Sequence, residues 1–156
     1  DNKPAYIRVG RNPVDVIYSE ENIDFKLNKA NILKKGTDAA IIACGEMVKP
    51  ALDAARALEN EGISVSVVDM YCVKPIDEKT LLKAAENVNA VLTIEEHSIY
   101  GGLGSMVAQI ISRECPKKVY NMALPDEPVI TGSSKEVFEY YGMNSEGIRK
   151  KIKELI

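Results

Sequence analysis

Much of the chemistry open to a protein is removed here by what the chain lacks. No apolar run reaches the ~18 residues that a membrane span requires, and no signal-peptide pattern opens the chain. A cytoplasmic protein without a membrane partner is expected. No cluster of five or more Lys/Arg occurs and the net charge is −3, which argues against a nucleic-acid partner. Cys44, Cys72 and Cys115 are odd in number and widely spaced, with no C-x-x-C pair, so neither a zinc site nor a redox motif is expected. Free, buried thiols in a reducing compartment are the plain expectation. His97 is the single histidine. The sequence shows no Ser/His/Asp arrangement, no metal-ligand cluster, no P-loop, no internal repeat and no low-complexity segment.

What remains is an ordinary globular composition. The 156 residues, 46% hydrophobic and 28% charged, suit one domain. A domain of that size buries roughly 70% of the surface its unfolded chain exposes, so it needs neither metal nor disulfide to hold together. The chain starts at Asp1, without a methionine, inside structured-looking sequence, and so reads as a piece of something longer. Residues 4 to 9, Pro-Ala-Tyr-Ile-Arg-Val, form a β-rich run closed by Gly10 and Arg11. Residues 1–11 are therefore expected to be the last strand of a missing upstream domain. Residues 12–30 are polar and read as a linker, with Val16, Ile17, Tyr18 and Phe25 packing on something.

Residues 31–156 carry a regular alternation. Strands are expected at Asn31 to Lys34, Ala39 to Ala43, Ile63 to Val68, Ala90 to Ile94 and Lys118 to Met122. The unbroken run Ala39-Ala40-Ile41-Ile42-Ala43 fits a strand covered on both faces. Between the strands, apolar residues recur at helical spacing: Met47, Ala51, Leu52, Ala55 and Leu58, then Leu81, Leu82 and Ala85, then Leu103, Val107, Ile110 and Ile111. Asp77 is a candidate N-cap. Ser133 and Glu136 have capping-box spacing. A last helix carries Ile148, Ile152 and Leu155 on one face. The alternation predicts a three-layer α/β/α fold on a mostly parallel sheet of about five strands, with Ile41, Val65, Val67, Leu92 and Ile94 in the core.

Four features could carry chemistry. At Cys44-Gly45-Glu46-Met47 a strand turns into a helix, and a helix start can hold an anion, although one glycine equally makes a plain tight turn. Glu95-Glu96-His97 ends a strand, where open α/β sheets place their sites. It is followed by Gly101-Gly102-Leu103-Gly104-Ser105, whose glycines permit close backbone approach to a partner or ligand. His97 beside two glutamates fits either a general base or a hydrogen-bonded structural residue. Gly102 and Gly104 give G-x-G, but Val107 stands at the third position, so this is no dinucleotide fingerprint. Asp69 with Lys74-Pro75-Ile76-Asp77 reads as a strand end and a cap. Arg8 and Arg11 have the planar fork that suits phosphate, but alternation puts them on opposite faces.

The order of these segments, from Asp38-Ala39-Ala40-Ile41-Ile42-Ala43-Cys44-Gly45 through Val67-Val68-Asp69-Met70, Lys74-Pro75-Ile76-Asp77 and Glu95-Glu96-His97 to Gly101-Gly102-Leu103-Gly104-Ser105, resembles the transketolase C-terminal domain. That domain is shared by transketolases, deoxyxylulose phosphate synthases and the β chains of 2-oxoacid dehydrogenases. The opening Pro4 to Arg11 resembles the end of the pyrimidine-binding domain, and looks most like the small, split transketolases; deoxyxylulose phosphate synthases usually have proline where Gly10 stands. The resemblance implies a parent enzyme, a homodimer or heterotetramer, that moves a two-carbon ketol unit between sugar phosphates with thiamine diphosphate and magnesium. It implies that the thiamine-binding domains lie upstream or on a partner subunit. This chain would then bind no cofactor, hold no catalytic group and serve domain and subunit contacts. Arg11 matches a family arginine that contacts the sugar phosphate. Glu95, Glu96, His97, Gly101, Gly102 and Gly104 match a family turn expected at an interface or ligand. Rival readings are a fragment of one of the two related enzymes, a stand-alone anion- or nucleotide-binding module, or a pure assembly domain.

Overall fold

The computed structural model describes residues 4–11, 13–21 and 24–156. Residues 1–3, 12 and 22–23, which belong to the expected upstream strand and linker, lie outside the described residues. Five strands form one sheet: β1 (Asn31–Lys34), β2 (Ala39–Ala43), β3 (Val65–Asp69), β4 (Ala90–Ser98) and β5 (Lys118–Leu124). Five helices accompany them: α1 (Val48–Glu59), α2 (Glu78–Ala85), α3 (Leu103–Glu114), α4 (Ser134–Tyr140) and α5 (Ser145–Leu155). The strand order is β1-β3-β2-β4-β5. β1 runs antiparallel to β3, and the other pairs are parallel. This is the expected three-layer fold.

β2 explains its own place. All five of its residues are buried, because helices cover both faces and an all-apolar strand exposes no polar side chain there. Alternate side chains sort into two cores. Ala39, Ile41 and Ala43 meet α1 and the apolar stripe of α5, Ile148 and Ile152. Ala40 and Ile42 meet Leu81 of α2 and Leu103, Val107 and Ile111 of α3. Ile41, Val65, Val67, Leu92 and Ile94 are fully buried, as predicted.

The helix boundaries follow local chemistry. Asp77 caps α2 by accepting the Thr80 N–H at 3.2 Å, and its second oxygen accepts the Ala30 N–H at 3.2 Å, tying the linker to the helix start. Ser133 and Glu136 complete the capping box of α4. Asn144 caps α5 through the Gly147 N–H at 2.8 Å.

Residues 4–10, expected to pair within another domain, pair with no strand among the described residues, and Tyr6, Ile7 and Val9 are exposed. Two expectations need correction. β4 runs four residues past its expected end at Ile94, through Glu95, Glu96 and His97 to Ser98, because β5 continues beside it and pairs Ser98 with Leu124. Only Cys44 of the three free cysteines is buried; Cys72 and Cys115 are partly exposed. The linker packs as expected at Ile17, which lies on the α1 core, and at Tyr18 and Phe25, whose rings stack toward Tyr71. Val16, by contrast, is exposed.

Asp77 gives a direct test. Its burial pushes its pKa up, but the Thr80 hydroxyl, the Thr80 and Ala30 N–H groups and Lys29 outweigh that and hold the carboxyl below the usual aspartate range. A lowered folded-state pKa means stability that is complete above the unfolded value, about 4, and lost as pH falls through the folded value. Asp77→Ala is expected to lose about 0.5–2 kcal/mol in urea denaturation at neutral pH. The gap between wild type and variant should narrow as pH falls below about 4.

Candidate functional site at the carboxyl edge of the sheet

β2 leaves through α1 on one face of the sheet, while its neighbour β4 leaves through α3 on the other. The exits diverge, which makes the carboxyl ends of β2 and β4 the topological switch point, the place whose crevice binds ligands in open α/β sheets. The residues singled out at Cys44-Gly45 and Glu95-Glu96-His97 flank that point from the two sides. Ala43 pairs with Ile94, and the Cys44 N–H reaches the Ile94 carbonyl at 3.4 Å, so Cys44 lies beside Glu95.

The two glutamates sit on successive strand positions and face opposite ways. Glu95, 3% exposed, points to the α3 face. Its Oε2 accepts the Leu103 N–H and its Oε1 the Gly104 N–H, both at 2.8 Å, so it caps α3 from outside the helix. Gly102 makes room for this: a Cβ there would stand 2.1 Å from Glu95 Oε2. Gly104 packs against the Thr93 and Asn121 side chains, and the Gly101 N–H bonds to Ser105 Oγ at 2.9 Å. The close approach foreseen for this glycine turn is thus made by the chain's own Glu95.

Glu96 serves the other face. Its Oε2 accepts the Glu46 N–H at 3.0 Å, at the 3-10 turn Gly45–Met47 that opens α1. Gly45 adopts φ +58°, a left-handed conformation that favours glycine, and a Cβ there would meet the Glu96 carboxylate at 2.8 Å. Of the two readings open for this helix start, a tight turn and an anion site, the structure shows the turn at Gly45 and a carboxylate of the protein itself on the Glu46 N–H. Arg8 Nη1 donates to Glu96 Oε1 at 2.7 Å; the carboxylate is buried although the arginine is half exposed. Glu96 raises the Arg8 pKa through this bond. A surface pair contributes little, but removing Arg8 would leave a nearly buried charge short of a partner, which is costly.

The remaining expected residues are placed as follows. Arg11 is exposed and has no hydrogen bond or ion pair among the described residues. Arg8, unlike Arg11, is tied to Glu96. His97 is half exposed, with Nδ1 3.8 Å from Glu95 Oε2, beyond hydrogen-bond distance. Asp69 is buried and accepts the Tyr18 hydroxyl at 2.7 Å; burial raises its pKa and the Tyr18 bond opposes that. Asp69 and Asp77 are thus occupied by structural bonds. The motifs taken one by one do not pair Cys44 with Glu95 and His97. A signal for that pairing exists all the same: two parallel strands that end level bring Cys44-Gly45 and Glu95-Glu96 side by side.

Capping of α3 by Glu95 is testable. Glu95→Ala strands two N–H groups in a buried setting at about 1–3 kcal/mol each, so a loss of about 2–6 kcal/mol in urea denaturation is expected. Amide exchange at Leu103 and Gly104 should accelerate. Glu95→Gln keeps one acceptor oxygen and should lose clearly less. Equal losses for the two variants would contradict the capping role.

The comparisons with known proteins agree with this geometry. The family model described as transketolase, C-terminal domain, matches residues 28–148. A subunit of the apulose-4-phosphate transketolase of Phocaeicola vulgatus is 44% identical over 154 residues, which are 99% of this chain and 49% of that protein. The 1-deoxy-D-xylulose-5-phosphate synthase of Magnetococcus marinus is 36% identical over 159 residues, 99% of this chain and 25% of that protein. Among solved structures, a split gene transketolase described as an inactive beta4 tetramer superposes with a TM-score of 0.84 at 38% identity, covering 94% of this chain and 48% of that one. The chain thus spans about half the length of the first relative and of the solved chain. With the family match running from the linker to α5 and the parallel sheet in place, the chain belongs to the transketolase C-terminal domain family.

Proposed function

We propose that this chain is the carboxyl-terminal part of a transketolase of the split type. The parent moves a two-carbon ketol unit between sugar phosphates, and this part joins domains and subunits and lends Arg11 to the substrate phosphate. The observation that carries the reading is the 44% identity, across nearly the whole chain, to a subunit of a transketolase. The likeness to a deoxyxylulose phosphate synthase is lower, at 36%, and Gly10 stands where those enzymes usually have proline.

Thiamine diphosphate and magnesium supply the carbanion chemistry in such an enzyme. The described residues do not fit that group. Magnesium takes oxygen ligands in near-octahedral geometry. Among the described residues the convergent ligand set is Cys44, Glu95 and His97, a thiol, a carboxylate and an imidazole. In this reading cofactor and metal belong to the upstream thiamine-binding domains or a partner subunit, in a cytoplasmic homodimer or heterotetramer of the pentose phosphate pathway. Among the described residues no helix is long and apolar enough to cross a membrane.

Several features of the opening segment support an assembly role. Tyr6, Ile7 and Val9 are more than 80% exposed, which is unusual for three large apolar residues within four positions. A covering domain upstream explains them. Arg8 meanwhile anchors the same segment to Glu96, so the covering domain would be held in fixed register with the sheet. Three residues on, Arg11 keeps its five N–H donors free of protein partners among the described residues, as a phosphate ligand requires.

The test uses the complete enzyme, assembled with the upstream half. Arg11→Ala removes charged hydrogen bonds of about 1.5–3 kcal/mol and should lower kcat/KM by roughly 10- to 150-fold for phosphorylated sugars. Hydroxypyruvate, a donor without phosphate, should be affected far less. Equal losses for both donors would assign Arg11 to the fold or the interface instead.

A further inference from the structure

Three metal-ligating side chains of different chemistry converge at the switch point, although they lie far apart in sequence. Parallel register sets Cys44 of the β2 exit beside Glu95 of β4. The β4–β5 register shifts between Ile94 and Ser98, and within that irregular stretch His97 comes to lie beside Glu95. One ligand atom from each of Cys44, Glu95 and His97 falls within 4.8 Å of the other two. Zinc bound at 2.0–2.3 Å to N, O and S ligands in tetrahedral geometry spaces its donors by about 3.3–3.7 Å. The His97 Nδ1 to Glu95 Oε2 separation, 3.8 Å, is already close to that. Cys44 and Glu95 are buried and Glu95 is held by two α3 N–H groups, whereas His97 is half exposed.

The surroundings favour a cation. Burial above all, and then the charges of Glu95, Glu96 and Asp69, pushes the Cys44 thiol up to about 12, with Arg8 opposing; the same carboxylates draw a cation to it. Each Glu95 oxygen accepts one N–H from α3 and keeps a second lone pair. The two N–H groups would orient the carboxylate as outer-shell partners of a metal. The ligand set selects the ion: thiolate and imidazole suit zinc, whereas magnesium and calcium require oxygen.

We propose that Cys44 Sγ, Glu95 Oε2 and His97 Nδ1 form a three-ligand Zn²⁺ site whose fourth position opens to solvent beside His97. Binding forms one Zn–S, one Zn–O and one Zn–N bond, and the Cys44 thiol releases its proton to buffer. The two ligand charges then balance the ion. The metal clasps the ends of β2 and β4, from which α1 and α3 diverge. The site is made wholly of this chain's residues, so its test needs neither the upstream domain nor a sugar.

The metal-free 156-residue chain is titrated with Zn²⁺ in competition with a chromogenic chelator, and separately with Co²⁺. The expected result is one Zn²⁺ per chain, a Co²⁺ spectrum of four-coordinate type with a thiolate charge-transfer band, and binding at least about 100-fold weaker in Cys44→Ser and in His97→Ala. Circular dichroism of both variants should match wild type. Zinc binding that both variants retain, a Co²⁺ complex without the thiolate band, or no binding of either ion would overturn the proposal. Should Cys44→Ser lose the fold, the cobalt band and the His97 variant decide alone.

Discussion

The arrangement at the carboxyl edge rests on two adjacent carboxylates used in opposite directions. A helix start leaves N–H groups without partners, and a negative charge placed there both accepts them and opposes the helix dipole. Glu95 does this for α3 and Glu96 does it at the turn into α1. Because strand side chains alternate, two consecutive glutamates on one central strand reach helices on both layers. The spacing of the three layers at this edge is therefore tied to a single dipeptide. Gly45 and Gly102 are the complementary half of the device, since a Cβ at either would stand in the carboxylate. The same dipeptide meets other charged and ligating groups: Glu96 accepts from Arg8, and Glu95 has a ligand atom of Cys44 and of His97 within 4.8 Å.

The architecture was legible in the sequence because its signals are local and repeated. Unbroken apolar strands, helical stripes, Asp77, the Ser133–Glu136 box and the closing stripe of Ile148 and Ile152 each announce one element, and together they leave few topologies. The end of β4 was only partly legible. The apolar run stops at Ile94 and puts Glu95-Glu96-His97 at the strand's carboxyl end, while its neighbour β5 keeps it in the sheet to Ser98. The opening run from Pro4 to Val9 shows the reverse case. Its composition favours a strand, but strand pairing is a property of the neighbour as much as of the segment.

The candidate site was legible in composition and obscure in arrangement. Glu95, Glu96, His97 and the glycines stood out as a cluster because they are contiguous. The carboxylate contacts that organise them run to Glu46, Leu103 and Gly104, and whether an acidic side chain faces a ligand or its own helix start depends on which way the strand presents it. Cys44 is a sharper example, since its neighbourhood with Glu95 exists only through the β2–β4 register, 51 positions away in sequence. Arg8 and Arg11 look alike in sequence and differ in the fold because Glu96 meets only one of them.

The Tyr18–Asp69 bond bears on where the folded unit begins. Asp69 ends β3 as a buried carboxylate, and its side-chain partner among the described residues is the Tyr18 hydroxyl, which in turn accepts from Asn31 Nδ2 at 3.3 Å. Phe25 lies between the Tyr18 and Tyr71 rings, at 4.8 and 4.7 Å between centroids. A protein shortened to the first strand of the sheet would keep every strand and helix, yet it would uncover the end of β3 and take the Tyr18 hydroxyl from the Asp69 carboxylate. The stretch that resembles a tether by composition is, physically, a lid on the sheet's second strand, and any excision or fusion of this domain is best joined ahead of Ile17.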